Sequence, residues 1–394
     1  MSLRGFFKKK VGVSRNVFAL GVVSFFNDIA SEMLYPVVPI FLTATLGAPV
    51  AIVGLIEGIA ESTASILKVA SGWFSDRFRS RKPFMVSGYS CSALSKILLG
   101  LAYGWPLVLI ARFIDRFGKG VRTSARDALI MESAETGKKQ GRSFGFHRGM
   151  DTAGAALGPL FTILLLNHFK DNLRPIFFLA FIPALLGVLF LLFFVKEKKK
   201  KTERFIFAFR WRDLDRSFKL FILVSFVFAL GNSSDVFLIL RAKSLGFSTI
   251  LTIFAYVLYN LTYSFFSFPA GIVSDRIGPK KVLFSGFLIF AVVYLFFGIV
   301  NRSFFLWLLF PAYGFFMALT EGIGKAYIAG LVPSEKSGTA FGFYNTVTGL
   351  CAFFASLIAG ILWTYVSPQA PFIYGSLMAL LACFIFIVWG RRKC

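Results

Sequence analysis

Apolar runs of about 20 residues, each broken by a short polar connection, recur along the whole chain. Each run is long enough to cross a ~30 Å hydrocarbon layer as a helix, the form that satisfies every backbone polar group internally. The runs predict helices over residues 17–44, 50–72, 83–104, 107–130, 143–168 and 175–195, and again over 217–240, 248–271, 281–300, 303–331, 339–365 and 371–390. The expected architecture is therefore all-α and membrane-integral, with twelve transmembrane helices in two pseudo-symmetric six-helix bundles, residues 1–195 and 217–394, joined by a charged linker over 196–216.

The two halves share a repeated phrase. GWFSDRFRSRK over 72–82 and GIVSDRIGPKK over 271–281 align at a constant offset of 199 residues, pairing Gly72, Asp76, Arg77, Arg81 and Lys82 with Gly271, Asp275, Arg276, Lys280 and Lys281. A second landmark, RSFGFH from Arg142 to His147, matches TAFGFY from Thr339 to Tyr344 at an offset of 197, and the short indel falls in a polar connection, where insertions cost least. A repeat of half the chain in so apolar a sequence points to a transporter.

Composition agrees with the pattern: 57% of residues are hydrophobic and 16% charged, against about a quarter charged in a soluble domain. The net charge of +24 raises the question of nucleic acid. Its placement answers it, because the Lys/Arg runs MSLRGFFKKK, DRFRSRK, GKKQGR, KEKKKKTER, DRIGPKK and GRRK all fall on one side of a twelve-span chain. That asymmetry predicts cytoplasmic termini and linker, hence a multi-pass inner-membrane protein. The first apolar run carries acids and no small-residue cleavage site, so it is read as a span that stays. The linker, KEKKKKTERFIFAFRWRDLDR, is either an amphipathic helix on the anionic leaflet or a solvated tether. Cys91, Cys351, Cys383 and Cys394 show no paired spacing, and two histidines are too few for a histidine metal centre. No metal, cofactor or nucleic-acid partner is expected, and the chain is read as a monomer in the bilayer.

The twelve-span layout and the doubled G-x-x-x-D-R phrase resemble the major facilitator superfamily, in its bacterial type with twelve transmembrane helices. That family's pattern is roughly G-x-x-x-D-R-x-G-R-[RK] between helices two and three and between eight and nine. The second copy fits, with Gly278 at the glycine position, and the first departs, with Arg79 there. Gly154-Ala-Ala-Leu-Gly158-Pro159 partly resembles a glycine–proline motif of the family's exporters. The resemblance implies that Gly72, Asp76, Arg77, Arg81, Gly271, Asp275, Arg276 and Lys280 form conformational loops that latch one transport state. On the residues alone, Gly72 permits close helix approach, Asp76 ends helix two, and Arg77, Arg81 and Lys82 are expected at anionic headgroups.

Charge inside the spans is the evidence for chemistry, since an ionisable group at a helix centre costs about 2.5–3.5 kcal/mol on insertion scales. Asp28 and Glu32 stand four apart on helix one, on a stripe with Ser24 and Tyr35, and Glu57 and Glu61 repeat that spacing on helix two, with Lys68 further along the face. Lys96 lies on helix three. Arg112, Asp115, Arg116, Lys119, Arg122 and Arg126 share a sector of roughly 120° on helix four. Arg148 and Asp151 on helix five read as a structural pair or as cavity residues. Asp235, Glu321 and Lys325 represent the second half, the last two spaced to pair with each other.

These positions predict a mid-depth acidic cluster of Asp28, Glu32, Glu57 and Glu61 beside an arginine stripe. So many like charges cannot all ionise cheaply, which would suit proton coupling; permanent structural ion pairs are the competing reading. Tyr35, Lys96, Arg112, Asp115, Arg116, Arg148, Asp151, Asp235, Glu321 and Lys325 are the candidate substrate or cavity residues. Nothing resembles G-x-x-x-x-G-K-[ST], so a secondary transporter working by alternating access is expected and an enzyme is not. The aromatic-rich helices favour proton-coupled efflux of a drug or metabolite. The buried Arg and Lys favour instead an organic-anion or metal-chelate transporter. A transporter-like sensor is a third possibility, without the soluble signalling domain such proteins add.

Overall fold

A computed structural model describes residues 13–77, 80–133, 140–170, 172–197, 215–332 and 337–390. All of its long elements are helices: α1 (Arg15–Leu34), α2 (Val37–Ile40), α3 (Val50–Arg77), α4 (Lys82–Gly100), α5 (Trp105–Ser133), α6 (Gln140–His168) and α7 (Arg174–Phe194), then α8 (Arg216–Gly231), α9 (Val236–Ser244), α10 (Thr249–Ile277), α11 (Pro279–Ile299), α12 (Leu306–Leu331), α13 (Ser337–Tyr365) and α14 (Ala370–Gly390). The first span is α1 plus α2 and a π-helical turn over Phe41–Thr45; the seventh is α8 plus α9. Twelve spans result.

Among the described residues, ten of these spans are long and apolar enough to cross a membrane by composition alone. The other two are α4, with Ser87, Ser90, Ser92, Ser95 and Lys96, and α5, with its charged stripe. These two helices belong to the first bundle and pack against each other.

Helix ends follow local chemistry. Ser14, Asp215 and Ser248 cap α1, α8 and α10 through their side-chain oxygens, occupying donors that a helix leaves unsatisfied. The chain breaks after α1 at Tyr35–Pro36, where proline brings no N–H, and after α8 over residues 232–235. Both breaks fall at matching places in the repeat. Gly278 ends α10 at φ +92°, in the left-handed region, which accounts for a glycine in the second copy of the repeated phrase. Helices α3 and α10 run to Arg77 and Ile277, so Asp76, Arg77, Asp275 and Arg276 stand on the last helical turns and not in a loop.

The chain forms two compact units: residues 1–41 with 63–204, and residues 42–62 with 205–394. In the first, α1 packs on α6 and α7, and α4 on α5 and α7; in the second, α8 packs on α13 and α14, and α11 on α12 and α14. The same pairing scheme appears twice, as the repeat requires. Each unit has its own apolar core, one centred on Val17, Leu20, Tyr89 and Leu191, the other on Phe218, Phe221, Leu283 and Ile323.

Helix α3 contributes to both units. Its residues 50–58 lie against α13, where a Cβ on Gly54 would come within 2.3 Å of the Ser356 carbonyl and one on Gly58 within 2.8 Å of the Phe353 carbonyl. Further along, α3 lies against α5: Ser71 Oγ donates to the Gly120 carbonyl at 2.9 Å, and Ser124 Oγ to the Lys68 carbonyl at 2.5 Å.

Candidate functional site

The first unit contains a polar cavity of about 60 Å³ between α1, α4 and α5. Helix α1 turns Asp28, Ser31, Glu32 and its C-cap Tyr35 into it, α4 supplies Ser95 and Lys96, and α5 supplies Arg112, Asp115, Arg116, Lys119 and Arg122. The i, i+3, i+4 spacing on α1 and α5 is what gathers these groups on one face. Small-molecule sites run roughly 300–1,000 Å³, so this space accepts a charged group or a few waters.

Close helix approach positions the carboxylates. A Cβ on Gly154 of α6 would lie 2.5 Å from the Phe25 carbonyl and 3.2 Å from Asp28 Cβ; one on Gly158 would lie 2.7 Å from the Ile29 carbonyl and 2.9 Å from Glu32 Cβ. The glycine–proline motif of the sequence is thus the α1–α6 seam, with one glycine set against the turn of each carboxylate. Thr162 Oγ1 extends it by donating to the Met33 carbonyl at 2.8 Å.

Within the cavity, Lys96 Nζ lies 2.7 Å from Asp115 Oδ1, and the Lys96 side chain is only 2% exposed. Ser92 Oγ donates to the same carboxylate, so Asp115 has two donors from α4. Arg112, Arg116 and Arg122 are all buried. The Arg122 guanidinium sits over the Tyr89 ring at 4.7 Å, and its Nη1 has no hydrogen-bond partner among the described residues. Asn27 Nδ2 donates to Asp28 Oδ1 at 3.2 Å, and Asp28 also lies in the fields of Asp151, Glu32, Arg122 and Arg126. Arg126 is held by Asp127 at 2.9 Å and donates to Ser24 Oγ at 3.2 Å.

On α6, Asp151 meets His147, four residues earlier, with Oδ2 3.5 Å from Nδ1. Arg148, which sequence spacing offered as its partner, is exposed.

Five other candidates belong to the second unit. Glu57 is buried and accepts from Ser234 Oγ at 3.5 Å. Glu57 and Glu61 fall in the second unit, and Asp28 and Glu32 in the first. The Gly54–Gly58 face of α3 lets that part of the helix seat on α13. Asp235 accepts from Tyr259 OH at 2.9 Å and Tyr313 OH at 2.7 Å, beside a stack of Phe290, Tyr294 and Phe316. Glu321 accepts from Tyr263 OH at 3.1 Å, and Glu321 and Lys325 are both exposed.

The repeated phrase separates likewise. The side chains of Gly72, Asp76 and Arg77 lie outside the described residues. Arg81, expected at headgroups, is buried and pairs with Glu132 at 3.1 Å. Lys82 reaches the Leu192 and Val195 carbonyls at the end of α7, both at 2.8 Å. Glu197 caps α4 by accepting from the backbone N–H groups of Arg81 and Lys82 and from Ser80 Oγ. Buried Arg81 thus has a carboxylate partner, and Lys82 sits at the negative end of a helix dipole. In the second copy Asp275, Arg276 and Lys280 are exposed, Gly271 is half-buried, and the Lys280 ammonium lies 5.4 Å from the Phe386 ring centre.

Sequence reasoning passed over His147, Ser92, Tyr89, Glu197 and the tyrosines around Asp235. The His147–Asp151 spacing of i, i+4 was a usable signal; Tyr259 and Tyr313 offered none, since only the tertiary fold brings them to Asp235. Among the described residues, no group of His, Cys, Asp and Glu is placed to hold a metal ion.

Known proteins agree with this architecture. The family model described as Major Facilitator Superfamily matches residues 20–256 and 220–393. An uncharacterized MFS-type transporter of Methanocaldococcus jannaschii is 41% identical over 379 residues, covering 94% of each chain. Multidrug resistance protein 2 of Bacillus subtilis is 23% identical over 409 residues, covering 98% of each. The structure of the nucleoside transporter NupG superposes with a TM-score of 0.79 at 13% identity, over 94% of this chain and 99% of that one. A chain matched by the family model nearly from end to end, with twelve spans and two repeated bundles, belongs to the major facilitator superfamily and is a multi-pass membrane transporter, not an enzyme.

Proposed function

We propose that the chain is a proton-coupled secondary transporter of a small acidic molecule, working by alternating access, with its termini in the cytoplasm. The observation behind this reading is the charge of the first-unit cavity, which is walled by five basic side chains and three acidic ones. The excess of cations in that wall favours an anionic group, and Asp28 and Glu32 are assigned as the proton acceptors. An anion entering beside them favours their protonated forms, and by linkage protons strengthen anion binding to the same degree. Anion and proton then travel together.

The test is a calorimetric and pH-indicator titration of purified protein with citrate, benzoate and glycerol phosphate. Proton uptake on anion binding is expected, lost in Arg116→Ala and reduced in Asp28→Asn. Anion binding without any proton uptake would refute the coupling.

A second reading, proton-coupled efflux of a lipophilic cation, has its own support. Asp235 is a carboxylate among tyrosine and phenylalanine rings, the surroundings that suit an aromatic cation, and one full-length relative is called a multidrug resistance protein. In the same titration it predicts proton release on adding tetraphenylphosphonium, lost in Asp235→Asn.

A further inference from the structure

The two broken spans differ in how they break. Between α1 and α2, Tyr35 and Pro36 keep helical backbone angles, at φ −53°, ψ −49° and φ −75°, ψ −17°. Between α8 and α9, Asn232 leaves the helical region, at φ −91° and ψ 82°, and the polar sequence Asn232-Ser233-Ser234-Asp235 runs outside any helix. Among the described residues, no backbone hydrogen bond is accepted by the Asn232 or Ser233 carbonyl. The second unit thus carries an unwound, oxygen-rich turn at the negative end of α8, inside a membrane span.

Three polar atoms at this turn are buried without a hydrogen-bond partner among the described residues: Asn232 Oδ1, Ser233 Oγ and the Tyr294 hydroxyl. Ser233 is 6% exposed, and Tyr294 is fully buried. Gly375 of α14 brings Tyr294 to the turn, since a Cβ there would lie 2.6 Å from the Gly231 carbonyl and 2.6 Å from Tyr294 Cδ1. Tyr294 also stacks on Tyr313, with ring centres 6.0 Å apart, and the Tyr313 hydroxyl donates to Asp235. The Asp235 carboxylate accepts from Tyr259 and Tyr313, which leaves a second lone pair on each of its oxygens. Among the described residues no basic side chain pairs with Asp235. Arg241, the nearest cation along the chain, is held by the Phe297 and Val300 carbonyls at the end of α11. Glu57, 1% exposed, adds a second acid beside the turn through Ser234 Oγ at 3.5 Å. A negative turn with unused oxygen ligands and no counter-charge carries a cost that a bound cation would remove.

We infer that the α8–α9 turn binds a monovalent metal cation such as sodium, with Asp235, Asn232 Oδ1, Ser233 Oγ and the carbonyls of the turn as its ligands. Hard cations take oxygen ligands, and unwound carbonyls beside the C-terminal end of a half-helix are the donors that suit sodium within a membrane. Asp235 is the only charged member of this set, which matches one positive charge and not two. That is also why no grouping of His, Cys, Asp and Glu among the described residues marks the site. The bound ion ties together the two half-helices of the seventh span. The inference goes beyond the proton-coupled reading and does not rest on it, since every ligand belongs to the second unit.

The test is the melting temperature of the full-length protein in detergent as NaCl replaces N-methylglucamine chloride at constant ionic strength, with no transported molecule present. Sodium should raise it saturably. Asp235→Asn should abolish the sodium dependence, and Asn232→Ala should raise the half-saturating concentration roughly tenfold, the effect of one lost ligand. Asn232→Asp adds a second charged ligand and should lower that concentration by a similar factor. Gel filtration without sodium shows whether each variant is folded, and the two Asn232 variants decide the matter should Asp235→Asn unfold. A wild-type melting temperature that is the same in both salts would leave water as the occupant and overturn the site. Sodium dependence unchanged in all three variants would place the ion elsewhere and overturn it too. Neither result bears on proton uptake with anions in the first unit, so the two readings fail separately.

Discussion

Lys96 and Asp115 are the clearest case of one side chain dictating the terms for another. Lys96 is buried and Asp115 is 13% exposed, and removing the carboxylate leaves a buried cation, for which a cost of about 3–5 kcal/mol is typical. Lys96→Met and Asp115→Leu are each expected to lower thermal stability in detergent strongly, while the double variant recovers much of the loss. Single variants as stable as wild type would remove the pair from the account. Both residues were visible in the sequence as ionisable groups in apolar runs, but their partnership was not. Lys96 sits on one helix and Asp115 on the next, and only the helix rotations settle that they meet. The same limit hid Tyr259 and Tyr313 from Asp235.

At the scale of elements, helix existence and order were legible, because an apolar run of twenty residues has few other forms. The seams between helices were less so. Gly154 and Gly158 could be recognised as a motif, yet their work is to let α1 bring Asp28 and Glu32 against α6. Gly154→Ala is expected to force this seam apart at a cost of about 1–3 kcal/mol, read as a lower melting temperature. An unaltered melting temperature would show that α1 can shift freely. The cap on α4 makes a separate prediction. Glu197 accepts from the Arg81 and Lys82 N–H groups, so Glu197→Ala should speed hydrogen exchange there, the loss of a cap being worth roughly 0.5–2 kcal/mol. Unchanged exchange at residues 81–83 would rule out this role.

For the whole molecule, the repeat predicted two bundles, and the pairing of helices is indeed repeated from one unit to the other. The assignment of residues 42–62 to the second unit was not legible, since it depends on Gly54 and Gly58 meeting α13 and on nothing local. A split of the chain after residue 204 should therefore yield a C-terminal piece deprived of a helical partner for α13. That piece is expected to aggregate on gel filtration when expressed alone and to become soluble in detergent when co-expressed with residues 1–204. A monodisperse C-terminal piece expressed alone would count against it.

The polarity of α4 and α5 also bears on how the chain is made. Among the described residues, ten spans are long and apolar enough to cross a membrane by composition alone, and these two are not. Lys96 alone would meet a barrier of about 2.5–3.5 kcal/mol on insertion scales. Its counter-charge, Asp115, is synthesised only nineteen residues later. The two helices are therefore expected to enter the bilayer as a hairpin in which Lys96 and Asp115 neutralise each other, α4 being held until α5 joins it. Nascent chains arrested when α4 alone has left the ribosome should leave it accessible to aqueous thiol reagents at Cys91, and chains arrested after α5 has also emerged should protect it.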